Sequence, residues 1–357
     1  MIKTNPAWTW AVPAAAVSIL GLAILVPHPA VRVLAGIVLL LAVFAAVHHA
    51  EVIAHRIGEP FGTLVLAVAV TVIEVALIAS LMLSAGEAKA ELARDTVLAA
   101  VMLAANGIVG LCLLFGGVRH HEQGFQVRGA SAALAVLAAL SVMTLVLPNH
   151  LIATPGPTLA RSQLIFEGVV SLVLYLTFVF VQTVRHRDYF LVEEGSGDEA
   201  TAPPSSTGAA LASLGLLLVA LVSVVGLAKV LSPDIERAVA AVGAPVAVVG
   251  IVISMVVLLP ESVAALRAAR RNQLQNSLNL ALGSSLASIG LTIPAIAAVS
   301  IVFGKPIALG ISAKDTVLLA LTLLVSVITL GTGRTTVLQG MVHLTILAAY
   351  LFLSFVP

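Results

Sequence analysis

Two glutamates stand alone inside long apolar runs of this sequence. Glu74 is flanked by valine, isoleucine and alanine, and Glu261 follows Pro260 at the end of a second apolar run. An ionisable side chain inside a membrane helix costs about 2.5–3.5 kcal/mol on insertion scales, so each glutamate needs a reason to be there. Two carboxyls that share a site of low dielectric hold protons when the site is empty, and a cation enters as protons leave. The pattern therefore predicts exchange of a cation for protons, and the alternative is a pair of protonated side chains that hydrogen-bond between helices.

Other oxygens near these glutamates are suited to a hard cation. Pro260 has no N–H, so the carbonyl of Val256 loses its usual helical donor, and transporters use carbonyls of unwound turns as ion ligands. Asn106 lies in the helix after Glu74, and Ser284 and Ser285 lie in the helix after Glu261. We predict all four residues as ligands, while the two serines could instead bond their own backbone.

Two further groups of polar residues are candidates for proton handling. His48, Glu51 and His55 share one stripe of a helix, which suits metal binding, sensing of cytoplasmic pH, or a polar helix end at the membrane surface. Three residues in the later spans are expected inside the bundle as members of a proton path: Glu167, Gln339 and His343.

The composition indicates a membrane protein. The 357 residues are 60% hydrophobic and 10% charged, with a mean hydropathy of +1.13, whereas soluble domains carry about 25% charged residues. Apolar runs without the alternation of a β-barrel predict an all-α bundle of about eleven transmembrane helices. The predicted spans are 11–27, 31–53, 62–84, 95–117, 129–147, 163–184, 210–231, 239–264, 275–302, 314–331 and 336–356.

The chain divides near its middle at a polar stretch rich in acidic residues and proline. Gly58-Glu59-Pro60 before Glu74 resembles Gly243-Ala244-Pro245 before Glu261, and Phe166-Glu167-Gly168 resembles Leu338-Gln339-Gly340. These matches predict two inverted five-helix repeats. The predicted segments are an orphan helix in 1–30, a first repeat in 31–184, an acidic cytoplasmic linker in 185–209 and a second repeat in 210–357.

The remaining features limit orientation and function. The expected location is the inner membrane of a bacterium. The loop that carries Arg267, Arg270 and Arg271 is expected in the cytoplasm, because cytoplasmic loops are rich in basic residues, and the N-terminus is then cytoplasmic too. Cys112 is the only cysteine, so an internal disulfide and a cysteine metal site are excluded. A net charge of +1 without a basic stripe excludes nucleic acid as a partner. Lipid, inorganic cations and protons are the expected partners, no cofactor is expected, and oligomerisation stays open.

Two other function classes are weaker alternatives. An enzyme is not expected, because no H-E-x-x-H, Gly-x-Ser-x-Gly or membrane aspartate pair of an intramembrane protease is present. A cation channel needs a continuous polar pore, whereas isolated acids in apolar helices favour alternating access.

The segments around the two glutamates resemble the α-repeats of the calcium/cation antiporter superfamily, and most of all bacterial calcium/proton antiporters of the ChaA type. The resemblance lies in Thr71-Val72-Ile73-Glu74-Val75, Leu259-Pro260-Glu261-Ser262 and the run 280–286. It implies eleven helices with an orphan first helix, a central acidic linker, and Glu74 and Glu261 as ion ligands. Many calcium/proton exchangers have Gly-Asn before each glutamate, and this chain does not. Calcium, exported in exchange for protons, is the predicted cation, and exchange of sodium or potassium for protons is the alternative.

Overall fold

Nearly every residue that the structure describes is helical. The computed structural model describes residues 6–58, 61–84, 91–191, 206–304 and 307–356. Within these ranges the chain forms eleven helices: α1 (Ala7–Leu25), α2 (Pro29–Ile57), α3 (Phe61–Ser84), α4 (Leu92–His120), α5 (Val127–His150), α6 (Arg161–Arg185), α7 (Thr207–Ala241), α8 (Ala247–Arg270), α9 (Leu274–Phe303), α10 (Ala313–Leu330) and α11 (Val337–Phe355). All but α3 are long and apolar enough to cross a membrane, and α3 contains the apolar stretch Ala67–Ala79. The predicted all-α membrane bundle is confirmed.

Three helices contain turns of other types. A π-helical turn, Leu103–Ile108, interrupts α4, and α6 ends in another, Val181–Arg185. Helix α5 ends in a π turn followed by the 3₁₀ turn Leu147–His150. Single π turns inside α-helices occur often at functional sites, so the π turn in α4 is a candidate position for the functional site.

The chain folds into two compact units. The first unit contains α1, α2, α3 and α7, and the second contains α4 to α6 and α8 to α11. Each unit therefore combines helices from both predicted repeats. Because contacts define the units and sequence similarity defines the repeats, the repeat boundaries stay a prediction.

In the first unit, α2 and α7 lie side by side in opposite directions. At one end Arg56 Nη2 donates to Thr207 Oγ1 at 2.9 Å. At the other end Arg32 donates to the backbone carbonyl of Val230 and pairs with Asp234 at 3.5 Å. Both ends of the α2–α7 pair are thus held by polar bonds.

The prediction for the boundary between α7 and α8 is wrong. Helix α7 continues past the predicted end at residue 231 to Ala241, and α8 begins at Ala247 instead of residue 239. The polar residues that suggested a break are bonded within the helix: Ser232 Oγ donates to Glu236 Oε1 at 2.9 Å, and Arg237 pairs with Asp234 at 2.6 Å. Polar side chains one turn apart satisfy each other without ending a helix.

In the second unit the loops gather at two opposite ends. At one end, which we call the basic end, the strands β1 (Gln123–Gly124) and β2 (Arg334–Thr335) pair antiparallel, and Gln123 Nε2 donates to Asn272 Oδ1 at 3.0 Å. At the other end Asn149 Nδ2 donates to the carbonyl of Ile311 at 2.6 Å. Consecutive helices of this unit therefore run in alternating directions, as membrane crossings require.

The structure describes only the two ends of the predicted acidic linker, 185–209. The first part of this segment contains the 3₁₀ turn Arg187–Phe190, which belongs to the second unit. Phe190 is buried edge-on against Phe178 at 5.8 Å, and its carbonyl accepts from Asn279 Nδ2 at 2.6 Å. At the other side α7 already begins at Thr207. The acidic residues beyond this turn, Glu193, Glu194, Asp198 and Glu199, lie outside the described residues, as do Glu59 and Pro60.

Candidate functional site

Glu74 lies on the inner face of α3. Its side chain is 2% exposed, and it shares the buried face with Val70, Ile73 and Leu77 at helical spacing. Val72 on the opposite face is exposed. Because lipid-facing positions of this helix are the exposed ones, Glu74 is turned away from lipid, as the sequence predicts.

Glu261 occupies the corresponding inner face of α8. The side chain is 7% exposed, while Met255 on another face of α8 is 47% exposed. Two polar contacts fix α8 beside its neighbours: Ser254 Oγ donates to the carbonyl of Thr96 in α4 at 2.7 Å, and Ser277 Oγ of α9 donates to the carbonyl of Ala265 at 2.7 Å. Such hydrogen bonds between helices specify how α8 is rotated.

Glycine brings α8 close to α4. A Cβ added at Gly250 would lie 2.9 Å from the backbone nitrogen of Thr96 and 3.0 Å from the carbonyl carbon of Asp95. Only a residue without a side chain allows this approach. Glu74 belongs to the first unit and Glu261 to the second, so the meeting of the two carboxyls stays a prediction.

The expected unwinding around Pro260 is absent. Helix α8 is continuous from Ala247 to Arg270 with Pro260 inside it. A proline interior to a helix removes one hydrogen bond, and the flanking turns can remain helical. Val256 therefore lacks a backbone N–H donor from Pro260, but its carbonyl lies in a regular helix and not in an unwound segment.

Asn106 lies in the π turn of α4 and is fully buried. Its Nδ2 donates to Thr322 Oγ1 of α10 at 2.9 Å, and Thr322 Oγ1 donates to its own helix at the carbonyl of Leu318 at 2.8 Å. His343 Nδ1 of α11 lies 3.2 Å from Asn106 Oδ1. The structure thus joins two residues that the sequence assigned to separate roles, Asn106 as a cation ligand and His343 as a member of a proton path.

One direction of donation fits this chain of bonds. With the Thr322 hydroxyl donating to the carbonyl of Leu318, it accepts from the amide nitrogen of Asn106, and the amide oxygen of Asn106 faces His343 Nδ1 as an acceptor. A neutral imidazole that donates from Nδ1 leaves Nε2 as an acceptor. His343 Nε2 is buried without a hydrogen-bond partner among the described residues. The role of Asn106 as a cation ligand stays a prediction.

The two serines of α9 differ in their surroundings. Ser285 is fully buried and its hydroxyl donates to the carbonyl of Ala281 at 3.2 Å, the backbone bond that was the alternative to ion binding. Ser284 is partly exposed. Next to them, Gly283 lines a small cavity between α5, α6 and α9 together with Gln182 and Asn279. The ligand role of both serines stays a prediction.

Glu167 and Gln339, which the sequence matches between the two predicted repeats, have different surroundings, and their equivalence stays a prediction. Gln339 caps α11, because its Oε1 accepts from the backbone N–H of Thr336 at 2.8 Å. Gln163 does the same at the start of α6, where its Oε1 accepts from the N–H of Ala160 at 2.9 Å. Gln339 is a partly exposed capping residue and not an interior one.

The histidine stripe at the end of α2 does not form a metal site. Among the described residues, no group of three histidine, cysteine, aspartate or glutamate side chains lies close enough to hold a metal. The neighbouring His49 is held in place by a hydrogen bond, since its Nε2 donates to the carbonyl of Thr9 in α1 at 2.9 Å. The ring of His48 lies tilted against that of Trp8, with centroids 5.5 Å apart, while Glu51 is partly buried and His55 is exposed. Sensing of pH by these residues stays a prediction.

Sequence reasoning did not identify Thr322, Ser254 and Gly250. Thr322 and Ser254 are polar residues inside apolar runs, a signal that could have drawn attention to them. Their partners lie in distant parts of the sequence, so the pairing itself carries no local signal.

Comparison with known proteins agrees with this architecture. The profile of the sodium/calcium exchanger protein family matches residues 28–184 and 212–356. A putative ionic transporter, y4hA of Sinorhizobium fredii, is 52% identical over 360 residues, which is 99% of this chain and 97% of the relative. The sodium-potassium/proton antiporter ChaA of Escherichia coli is 34% identical over 329 residues, 91% of this chain and 89% of the relative.

A solved structure shares the fold. Native YfkE superposes with a TM-score of 0.73 at 17% sequence identity, and the match covers 98% of this chain and 100% of YfkE. The intramembrane protease alternative is therefore excluded, because the family profile covers most of both halves of the chain and describes ion exchangers. On these matches, and on an architecture of eleven helices among the described residues, the chain belongs to the sodium/calcium exchanger family of membrane transporters.

Proposed function

We propose that this protein exchanges a cytoplasmic cation for protons by alternating access, with Glu74 and Glu261 as the groups that bind either the cation or the protons. Family membership supports exchange as the activity. The assignment of Glu74 and Glu261 as the ion-binding groups rests on the burial of both side chains on the inner faces of apolar helices. No cofactor is needed beyond the transported ions.

Competition for the same oxygens explains the coupling. A buried pair of carboxylates without a cation is unfavourable, so the pair holds protons or a cation. Each unit of pH gradient then supplies about 1.4 kcal/mol per proton moved. Asn106, whose amide is oriented by Thr322 and His343, supplies a neutral oxygen to the same cation in this proposal.

Two observations favour sodium and potassium beside calcium as transported cations. The chain is 34% identical to a protein named as a sodium-potassium/proton antiporter. In addition, many calcium/proton exchangers have Gly-Asn ahead of each glutamate, where this chain has Ala69-Val70-Thr71 and Val256-Val257-Leu258. The site then contains fewer side-chain oxygens, and calcium needs six to eight oxygen ligands. We therefore propose that monovalent cations are substrates, with calcium as the second candidate.

The distribution of charge supports an inner-membrane location with a cytoplasmic N-terminus. The basic end of the second unit carries most of the arginines of that unit, and cytoplasmic loops are enriched in such residues. These arginines are Arg119, Arg128, Arg185, Arg187, Arg267, Arg270, Arg271 and Arg334. With this end in the cytoplasm, alternation of the helices also places the N-terminus there.

Everted membrane vesicles test the proposed exchange. In vesicles that respiration has acidified inside, sodium, potassium or calcium added separately should dissipate the pH gradient for the wild type. Glu74→Gln and Glu261→Gln keep the shape of the side chain and remove its charge, so both variants should lose this response to every cation. Fluorescence of a pH-sensitive dye gives the measurement.

A matched control keeps the result specific. Glu122 is exposed on the loop between α4 and α5 and lies 3.7 Å from Arg334, so Glu122→Gln should respond like the wild type. A wild type that responds to none of the three cations would refute the proposed exchange. Full exchange in Glu74→Gln or Glu261→Gln would refute the roles of these residues.

A further inference from the structure

Helices α6 and α9 pack closely in the second unit. A Cβ at Gly168 would lie 3.4 Å from the Cα of Pro294, and a Cβ at Gly290 would lie 2.5 Å from the Cβ of Tyr175. The side of α6 that carries Gly168 and Tyr175 therefore faces α9.

Glu167 lies on this inner side of α6. It is 4% exposed and follows the same buried stripe as Leu164, Ser171 and Tyr175. The outer side of the helix consists of large apolar residues with exposed surface: Ile165, Phe166, Val169, Leu172, Val173, Leu176 and Phe180. Glu167 thus points into the protein and not into lipid.

No charged group in the helices packed against α6 can pair with Glu167. Helix α9 contains no aspartate, glutamate, lysine, arginine, histidine, cysteine or tyrosine at all. The only ionisable residues of α5 are Arg128 near its start and His150 at its end, and Arg128 stacks on Tyr189 at 5.3 Å. On α6 itself the basic residues Arg161 and Arg185 stand at the two ends.

The carboxyl group also has unused hydrogen-bonding capacity. Glu167 Oε2 is buried without a hydrogen-bond partner among the described residues. A protonated carboxyl has one O–H to donate. On α9, Pro294 has no N–H, so the carbonyl of Gly290 lacks its usual helical donor and remains an acceptor on the face that meets α6.

A carboxylate in such a place is strongly disfavoured, since burial without a paired charge penalises the ionised form. We propose that Glu167 is a second proton-binding site, located at the α6–α9 interface and separate from the cation site, which takes up and releases a proton during each transport cycle. This inference rests on the proposed cation/proton exchange. The unpaired oxygen in the present conformation fits a group that is satisfied only in another arrangement of the two helices.

Infrared spectroscopy detects the proton directly. The purified wild-type protein in liposomes should show a band of a buried protonated carboxyl whose intensity changes when a cation replaces protons. Glu167→Gln should lack the part of this band that Glu167 contributes, and Glu122→Gln should retain it. Identical difference spectra for the wild type and Glu167→Gln would overturn the proposal, because Glu167 would then not change its protonation.

Transport assays separate proton handling from cation binding. Glu167→Gln should retain exchange of labelled cation for unlabelled cation, which moves no protons, and should lose most of the cation-driven proton movement. Glu167→Asp, which is shorter but can still bind a proton, should restore part of it. Unchanged proton movement in Glu167→Gln would contradict the inference.

Two other outcomes are equally informative. Loss of cation self-exchange in a Glu167→Gln protein that still elutes as a monodisperse peak would place Glu167 in the cation path and overturn its separateness. A wild type without any cation-driven proton movement would instead refute the proposed function, so the two failures are distinguishable.

Discussion

At the scale of single residues, a buried chain of hydrogen bonds runs from Leu318 through Thr322 and Asn106 to His343, and in it the amide nitrogen of Asn106 donates to Thr322. The direction matters because an asparagine amide offers an oxygen on one side and an NH₂ group on the other. With its NH₂ group held by Thr322, Asn106 is prevented from turning this group toward a cation. Thr322 and His343 are therefore positioning residues for Asn106.

Thr322→Val tests this arrangement. Valine has the shape of threonine without the hydroxyl, so the buried NH₂ group of Asn106 loses its acceptor, which destabilises by about 1–3 kcal/mol. We expect a lower melting temperature of the purified protein and a weaker apparent affinity for the cation. Thr345→Val is the control, because Thr345 is exposed and bonds only its own helix at the carbonyl of Met341. Equal melting temperatures for the two variants would contradict the role of Thr322.

The sequence identified the acidic residues but not their neighbours. Glu74, Glu167 and Glu261 were predictable because a lone carboxyl in an apolar run is conspicuous and unfavourable. The partners of Asn106 were not, because Thr322 and His343 lie far along the chain and only the packing of helices brings them near. Contacts of this kind depend on helix rotation, which a single sequence leaves open.

At the scale of elements, the helices were predictable because a span needs about 20 apolar residues to cross the hydrocarbon layer. Each predicted span corresponds to one helix of the structure. The boundary of α7 was not predictable, since its polar residues bond to one another instead of ending the helix. The π turn at Leu103–Ile108 was missed as well, because one additional residue in a turn leaves no pattern in an apolar sequence.

The close contact of α8 with α4 leads to a prediction at this scale. Gly250→Ala inserts a methyl group 2.9 Å from the backbone nitrogen of Thr96, so the two helices must separate slightly. Overpacking of this kind costs about 1–3 kcal/mol. We expect a lower melting temperature and slower exchange, since α8 carries Glu261.

Gly36→Ala provides the comparison for Gly250→Ala. A Cβ at Gly36 in α2 meets nothing within 4 Å, and alanine favours the helix over glycine. This variant should be as stable as the wild type or slightly more stable. If Gly250→Ala were equally tolerated, the contact with Thr96 would not constrain α8.

At the scale of the whole molecule, the division into two units was not predictable. Sequence similarity pairs α2 to α6 with α7 to α11, whereas contacts group α7 with the first three helices. Sequence similarity indicates which segments are related, whereas contacts between helices show which segments pack together. Apolar residues on all sides of a membrane helix do not reveal which side meets another helix.

The orientation in the membrane can be tested with single cysteines. Cys112 is buried, and Cys112→Ala gives a background without cysteine. In that background Ile152→Cys, at a fully exposed position between α5 and α6, should react with an impermeant maleimide in intact cells. Glu122→Cys at the basic end should react only after the cells are opened. The reverse pattern would place the basic end and the N-terminus outside.

The bonds at both ends of the α2–α7 pair have a mechanical consequence. Arg32 and Arg56 lie about 36 Å apart along α2 at 1.5 Å per residue. Each arginine is hydrogen-bonded to α7, and Arg32 also pairs with Asp234. Sliding of one helix along the other would break both attachments at once, whereas tilting the pair as a body breaks neither. Relative sliding of α2 and α7 is therefore opposed at two levels of the pair, so a tilt of one helix favours the same tilt of the other.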